Sequence, residues 1–517
     1  MRTRTQLLLL AALLCGSSLL AQDYDVVIQN GRVIDPETGL DAIRNVGVKD
    51  GRIAAISEFA LKGRVEIDAT GGVVSPGFID LHAHGQFLGD YRMQVMQGVT
   101  TALDLELGTL PVSEWYEVQS KKRLPINYGA SVAWVYGRIA AFSGKPPTPD
   151  AEYFQEAQKA TDWKLDIANP QKLGEILRWA EQGLNEGALG IGINAGYAPG
   201  YGQKEYFELS KMAAKHGVAT YTHVRYASDL EPKSSFEAVK ELIADSALSG
   251  AHMHVCHINS VSLSDIASTM ELVERAQQNG IKVTVEAYPY GAANTVVAAA
   301  MFSGENWRER MHSTAHNFQL GADRMTEDQL KDYQSNKPGT FVTWHFLDES
   351  KPEDLALLDM SITHPQVMIA SDAVLWTYFD DKGAIQNYKG SEWPLPENCF
   401  SHPRSAGTFA KILRSYVRER GLLSMPEAIR KMSLMPAQTL EDFVPQMRKK
   451  GRLQVGMDAD VVVFDPNKVA DKATYEKPNQ HAVGVETVLV NGVITVRDGA
   501  LVLDAAGGRP IRRAVAK

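Results

Sequence analysis

Cysteine is scarce, with three in 517 residues, at Cys15, Cys256 and Cys399. So few thiols exclude a disulfide framework, and stability must come from a buried core. Positive charge is also short. Lys and Arg number 53 against 62 Asp and Glu, a formal net charge of −9, and no basic cluster offsets it. Nucleic acid and anionic membrane are thereby disfavoured as main partners. Beyond the N-terminus no apolar run is long enough to read as a transmembrane helix. No Gly-rich phosphate loop follows the first predicted strand of the central region, which weighs against a doubly wound nucleotide-binding sheet.

What is present begins with a targeting segment. Arg2 and Arg4 precede the apolar run 7–14, and Leu19-Leu20-Ala21 offers a cleavage site before Gln22. Residues 1–21 read as a signal peptide, and the destination as the periplasm or outside the cell. Cys15 sits where a lipid-modified cysteine could sit, but Leu14 before it is larger than such sites prefer.

The two ends of the remaining chain share one style. Short alternating strands are punctuated by Asn30-Gly31, Asp50-Gly51 and Asn491-Gly492, pairs that suit tight hairpin turns. Residues 22–75 and 451–510 are therefore expected to build one small β-sandwich from both termini. Residues 76–450 alternate short apolar strands with amphipathic helices. The expected strands are 73–84, 100–106, 127–134, 188–193, 219–224, 252–258, 282–290 and 367–373. Helices are expected at 170–187, 204–217, 234–250 and 262–280, several stopping at a Gly. Eight such units predict an α/β fold, a (β/α)8 TIM barrel. Residues 291–365, between strands seven and eight, exceed any normal connection and read as an inserted lid subdomain over the barrel mouth.

In such barrels the chemistry sits at the C-terminal ends of the strands. Strand one ends in His82 and His84, two imidazoles expected on one face. Strand two ends in Asp104 and Glu106, strand five in His223, and strand six in His254 and His257. Strand seven ends in Glu286, Tyr288 and Tyr290, and strand eight in Asp372. His257 is preferred to His254 because it lies nearer the strand end. His82, His84, Glu106, His223, His257 and Asp372 exceed the needs of one tetrahedral ion. They predict one or two divalent ions, two being the better fit, with Glu106 preferred to Asp104 as the bridge.

The motifs Pro76-Gly77-Phe78-Ile79-Asp80-Leu81-His82-Ala83-His84, Thr222-His223-Val224-Arg225, Cys256-His257-Ile258-Asn259-Ser260, Tyr288-Pro289-Tyr290, Ala370-Ser371-Asp372 and His402-Pro403-Arg404 occur in one order. Together the chain resembles the amidohydrolase superfamily, in its D-aminoacylase (N-acyl-D-amino-acid deacylase) branch, from about residue 24 to 500. The resemblance implies that His82, His84 and Asp372 hold one zinc and that His223 and His257 hold the other. It implies that Asp372 shuttles the proton. Arg404 would clamp a substrate carboxylate, with Tyr290, Tyr288, Asn259 and His402 as further substrate contacts. Two departures bear on this. The family places a Cys near the end of strand two, where this chain has Glu106 and Leu107. It also has a Lys two residues after the strand-six His, where this chain has Asn259. The first favours a hard bridging carboxylate. The second removes a cation from the carboxylate pocket. No Lys ends strand four, so a carboxylated-lysine bridge is not expected.

The expected activity is hydrolysis of a C–N amide bond by a metal-bridged hydroxide, most simply deacylation of N-acyl-D-amino acids. A dipeptidase acting on D-residue dipeptides and a cyclic amidase use the same chemistry. A deaminase is disfavoured because no Glu closely follows His223 or His257. A non-catalytic scaffold is disfavoured because the ligand set is intact.

Overall fold

The computed structural model describes residues 24–304 and 306–516. The expected signal peptide and Cys15 lie outside the described residues. No helix among the described residues is long and apolar enough to cross a membrane.

Both chain ends contribute to one nine-stranded sheet. They meet at Val73–Pro76, which runs parallel to Tyr24–Asp35 and antiparallel to Val461–Phe464. Asp50-Gly51 and Asn491-Gly492 are two-residue hairpin turns with positive φ at both positions, as expected. Asn30-Gly31 is not a turn. It is an irregularity inside the twelve-residue strand Tyr24–Asp35, with the register shifting between Ile28 and Gly31. A Cβ at Gly31 would lie 2.3 Å from Val74 Cγ2, so Gly is required there for close approach.

The middle of the chain forms eight parallel strands. They are β1 (Phe78–Asp80), β2 (Val99–Thr109), β3 (Asn127–Ala133), β4 (Gly190–Asn194), β5 (Ala219–His223), β6 (His252–Val255), β7 (Val283–Ala287) and β8 (Val367–Ile369). Each pairs with the next, giving a nearly closed TIM-type barrel with helices outside. Helices form where expected: Pro170–Asn185 is capped by Asn169, and Ser235–Ser249 by Ser234. The predicted helix 262–280 begins with the short turns Ile258–Ser262 and Leu263–Asp265 before Ile266–Gln278.

The expected first strand, 73–84, is two strands. Val73–Pro76 belongs to the terminal sheet, and the chain breaks at Gly77 to enter the barrel. A Cβ at Gly77 would lie 2.2 Å from Thr100 Oγ1, so the crossing admits no side chain. His82 and His84 therefore lie beyond β1. The barrel seam is closed there by single contacts: His84 N donates to Ala373 O at 2.7 Å, and Ala373 N to His82 O at 3.3 Å. Below them the buried Asp80 carboxylate accepts Ser371 N at 3.0 Å and the Ser371 hydroxyl. Burial pushes Asp80 up to about 6.

After β7 the chain builds a four-stranded sheet from Ala292–Val296, Phe341–His345, Phe318–Leu320 and Asp323–Arg324. Helix Pro352–Thr363 then packs on β8, so it belongs to the barrel ring and not to the inserted sheet. The C-terminal tail leaves the terminal sheet after Leu501. Its Ile511 joins the barrel core with Leu103, Leu189, Tyr221 and Met368.

Candidate metal centre

The barrel mouth gathers the six expected ligands. His82 Nε2 lies 3.0 Å from His84 Nε2. Glu106 stands between two pairs of histidines. Its Oε2 is 3.5 Å from His82 Nε2 and 3.3 Å from His84 Nε2. Its Oε1 is 3.2 Å from His223 Nδ1 and 3.5 Å from His257 Nε2. Asp372 Oδ1 is 3.3 Å from both His82 Nε2 and His84 Nε2. The candidate ligand atoms fall into overlapping groups, including His82–His84–Glu106 and Glu106–His223–His257, each within 4.8 Å.

Local backbone explains how each side chain arrives. β2 loses register with β3 between Asp104 and Thr109, where Gly108 has a φ of 71°. This bulge turns Glu106 into the site while Asp104 stays below. Asp104 is engaged by other partners. Its Oδ1 lies 3.1 Å from His84 Nδ1 and accepts Gly108 N, and its Oδ2 accepts Gln86 Nε2. β6 ends at Val255, earlier than expected, and His257 takes a left-handed φ of 34°. That kink overrides the alternation that would set His254 and His257 on opposite faces. His254 points inward too, but lower, where its Nε2 meets Glu286 Oε2 at 3.1 Å. Asp372 also has positive φ, 50°. Two non-glycine residues in this sparsely allowed region mark a backbone bent to serve the side chains.

Glu286 is the residue that sequence reasoning left without a role. Its Oε1 lies 2.5 Å from His82 Nδ1, which leaves His82 Nε2 facing the site. Carboxylates thus orient both histidines of the first motif, as a ligand's outer partners do in metal sites. The available signal was parity, because Glu286 lies on β7 two residues before Tyr288, which follows the strand's end.

The electrostatics call for a cation. Burial opposes charge on His82, yet Asp372 and Glu286 push it up to about 10. Burial likewise opposes charge on His84, and Asp104 raises it well above the ordinary range. Burial raises Glu106, but His223, His257, His82 and His84 hold it well below the usual carboxylate range. Four buried carboxylates, Asp104, Glu106, Glu286 and Asp372, facing four imidazoles would be met by divalent cations with the imidazoles neutral; the second nitrogens of His82 and His84 are anchored by Glu286 and Asp104, whereas those of His223 and His257 have no partner among the described residues. The donor set, imidazole nitrogen and carboxylate oxygen, suits zinc.

Arg404 is fully buried. Its Nη2 lies 2.9 Å from Asp372 Oδ2 and its Nε donates to Asp372 O at 2.5 Å. Its Nη1 has no hydrogen-bond partner among the described residues. Neither Arg404 nor the other expected substrate contacts, which stand behind it, line the cavity above the ligands. The guanidinium lies 4.7 Å from the Tyr288 ring centre. Asn259 Nδ2 donates to Tyr288 O, and Arg404 N to His402 Nδ1. Tyr290 packs edge-on to His402, 5.5 Å between ring centres. The cavity wall instead includes Asn294, Thr295, Phe341 and Trp344 from the inserted sheet.

A nearly closed eight-stranded barrel with histidines and carboxylates converging at its C-terminal mouth defines a metal-dependent hydrolase of the amidohydrolase class. The sequence matches the Amidohydrolase family over residues 65–336 and 391–496. The chain belongs to that family. It is 27% identical to an N-acyl-D-glutamate deacylase of Alcaligenes xylosoxydans xylosoxydans, over 91% of this chain and 93% of the relative. It is 25% identical to a D-aminoacylase of the same organism, over 94% and 97%. The solved N-acyl-D-glutamate deacylase of Bordetella bronchiseptica, complexed with zinc and a phosphonate inhibitor that mimics the tetrahedral intermediate, shares the fold. The TM-score is 0.72 at 24% identity, covering 95% of this chain and 100% of that one.

Proposed function

We propose that this protein deacylates N-acyl-D-amino acids, using two zinc ions bridged by Glu106. The observation that carries the metal reading is the division of Glu106 between His82 with His84 on one oxygen and His223 with His257 on the other. When bound, the ions supply Lewis acidity toward the amide carbonyl and lower the pKa of water at the site. His82, His84 and Asp372 would hold one, and His223 and His257 the other.

The protein's own groups handle the proton and the substrate. Asp372 presents Oδ1 toward the ligand cluster and Oδ2 to Arg404. It takes the proton from the attacking water and returns it to the leaving nitrogen. Arg404, then the histidines, hold Asp372 below the usual carboxylate range against burial, so it starts as the base. The Arg404 Nη1 edge supplies the donor for the substrate's carboxylate and fixes its orientation. The basic n-region and apolar run of residues 1–21 support export to the periplasm or beyond, with a lipid anchor on Cys15 the lesser alternative.

The test is a hydrolysis screen of N-acyl-D- and N-acyl-L-amino acids with L-D and L-L dipeptides, before and after chelation. Chelator-sensitive, zinc-restored turnover of the D-series is expected. Activity confined to L-L dipeptides would contradict the proposal.

A further inference from the structure

A barrel of this type fills its interior mainly with apolar side chains. Below the metal ligands this one instead carries a run of polar groups. Alternation sets His252 and His254 on one face of β6, and Thr284 and Glu286 on one face of β7. The register pairs His254 with Thr284. The contacts join end to end. His82 Nδ1 lies 2.5 Å from Glu286 Oε1, and His254 Nε2 lies 3.1 Å from Glu286 Oε2. His254 Nδ1 and His252 Nε2 each lie 2.9 Å from Thr284 Oγ1. His252 and Thr284 line an open cleft with Gly217, Gly250 and Gly280, which lie just before β5, β6 and β7. The chain of contacts therefore runs from His82 at the mouth to the opposite face of the barrel.

The chemistry of the groups fixes the direction of each hydrogen bond. A carboxylate only accepts, so His82 Nδ1 and His254 Nε2 must each turn an N–H toward Glu286. The first leaves His82 Nε2 bare for a metal. The second leaves His254 Nδ1 bare, and it accepts the Thr284 hydroxyl. Thr284 has one proton to give, so its oxygen accepts from His252 Nε2. Every proton and every lone pair in the chain then has a partner. Reversing the direction beyond Glu286 would put a second proton, and a positive charge, on the buried His254.

We infer that His254 is a positioning residue for the metal centre. Thr284 and His252 lock it as the Nε2–H tautomer from the far side of the barrel, and it holds Glu286, and through Glu286 the ring of His82, in ligating orientation. This rests on the zinc reading and is independent of the substrate. Thr284 is the link to test. It is half-buried, and valine copies its shape and suits a strand, so the hydroxyl can be removed without opening the core.

The test compares the wild type with Thr284→Val and Thr284→Ser in two measurements. One is zinc affinity by competition with a chromophoric chelator. The other is the imidazole nitrogen spectrum of the zinc-loaded protein labelled with nitrogen-15 histidine, the His254 signals being those missing from His254→Gln. In the wild type His254 is expected to carry its proton on Nε2 alone. Thr284→Val should weaken zinc binding by about three- to tenfold, the worth of one hydrogen bond, and give a mixture of His254 tautomers. Thr284→Ser, which keeps the hydroxyl, should restore both. Wild-type affinity in Thr284→Val overturns the inference and leaves the zinc reading standing. So does a proton on His254 Nδ1 in the wild type. Binding as weak in Thr284→Ser as in Thr284→Val makes the loss one of packing and also overturns it. A wild type that binds no zinc removes the zinc reading and this inference with it.

Discussion

Arg404 Nη2 lies 2.9 Å from Asp372 Oδ2, and both groups are buried at the edge of the ligand cluster. The pairing gives one guanidinium two duties. It holds Asp372 below the usual carboxylate range against burial, and its Nη1, without a hydrogen-bond partner among the described residues, is the donor proposed for a substrate carboxylate. Losing Arg404 therefore differs from losing Asp372.

Asp372→Asn should lower kcat by about 10²–10⁴-fold, the usual value of a positioned acid–base group. Zinc content should survive in part, because five ligands remain. Steady-state kinetics with metal analysis on the same preparation reads both. Near-normal kcat in the variant would contradict the proton-shuttle role.

Glu286→Gln tests the support of His82. The amide keeps the size but loses the charge that faces His82 Nδ1 at 2.5 Å and His254 Nε2 at 3.1 Å. Metal affinity should fall about 10–100-fold, measured by competition with a chromophoric chelator. Unchanged affinity would make Glu286 a core residue only.

Stability should respond to pH through Asp90, a buried carboxyl that is not among the candidate metal ligands. It accepts Phe87 N at 2.8 Å through Oδ2, and its Oδ1 has no partner among the described residues. Burial raises it from 3.8 to about 7. A raised folded value means the native state binds the extra proton, so this contribution is full below about pH 4 and is lost as pH rises toward 7. Asp90→Asn should then stabilise by about 1–3 kcal/mol at pH 8 and by little at pH 4. Urea denaturation at the two pH values reads the difference, and an equal effect at both would contradict the assignment.

Gly77→Ala should destabilise by about 1–3 kcal/mol, because its Cβ would meet Thr100 Oγ1 at 2.2 Å where the chain passes from terminal sheet to barrel. A variant with unchanged melting temperature would show that the crossing has room.

Much of this was legible in the sequence. The βα rhythm gave the barrel, and reading what ends each strand found all six residues that converge. Two kinds of feature were not legible. One is local backbone that breaks periodicity: the crossing at Gly77, the β2 bulge at Glu106, and the left-handed turn at His257. A pattern argument assumes regular pleats, and these sites depart from them where side chains are re-aimed. The other is long-range pairing. Nothing near Glu286 or Asp104 in sequence says that each will hold a histidine of the Asp80–His84 segment, nor that Tyr288, Asn259 and His402 will back Arg404 instead of lining the cavity. Such partners are fixed only when distant strands close into a barrel.

The central claim is that Glu106 joins two metal positions. The most direct measurement is zinc per chain by elemental analysis, for the wild type and Glu106→Gln, after equilibration with a small excess of zinc and removal of unbound ion. Two zinc per wild-type chain and one or fewer in the variant, with turnover lost in parallel, is the predicted result. Two zinc retained in a folded Glu106→Gln protein, or none bound by the wild type, would contradict it.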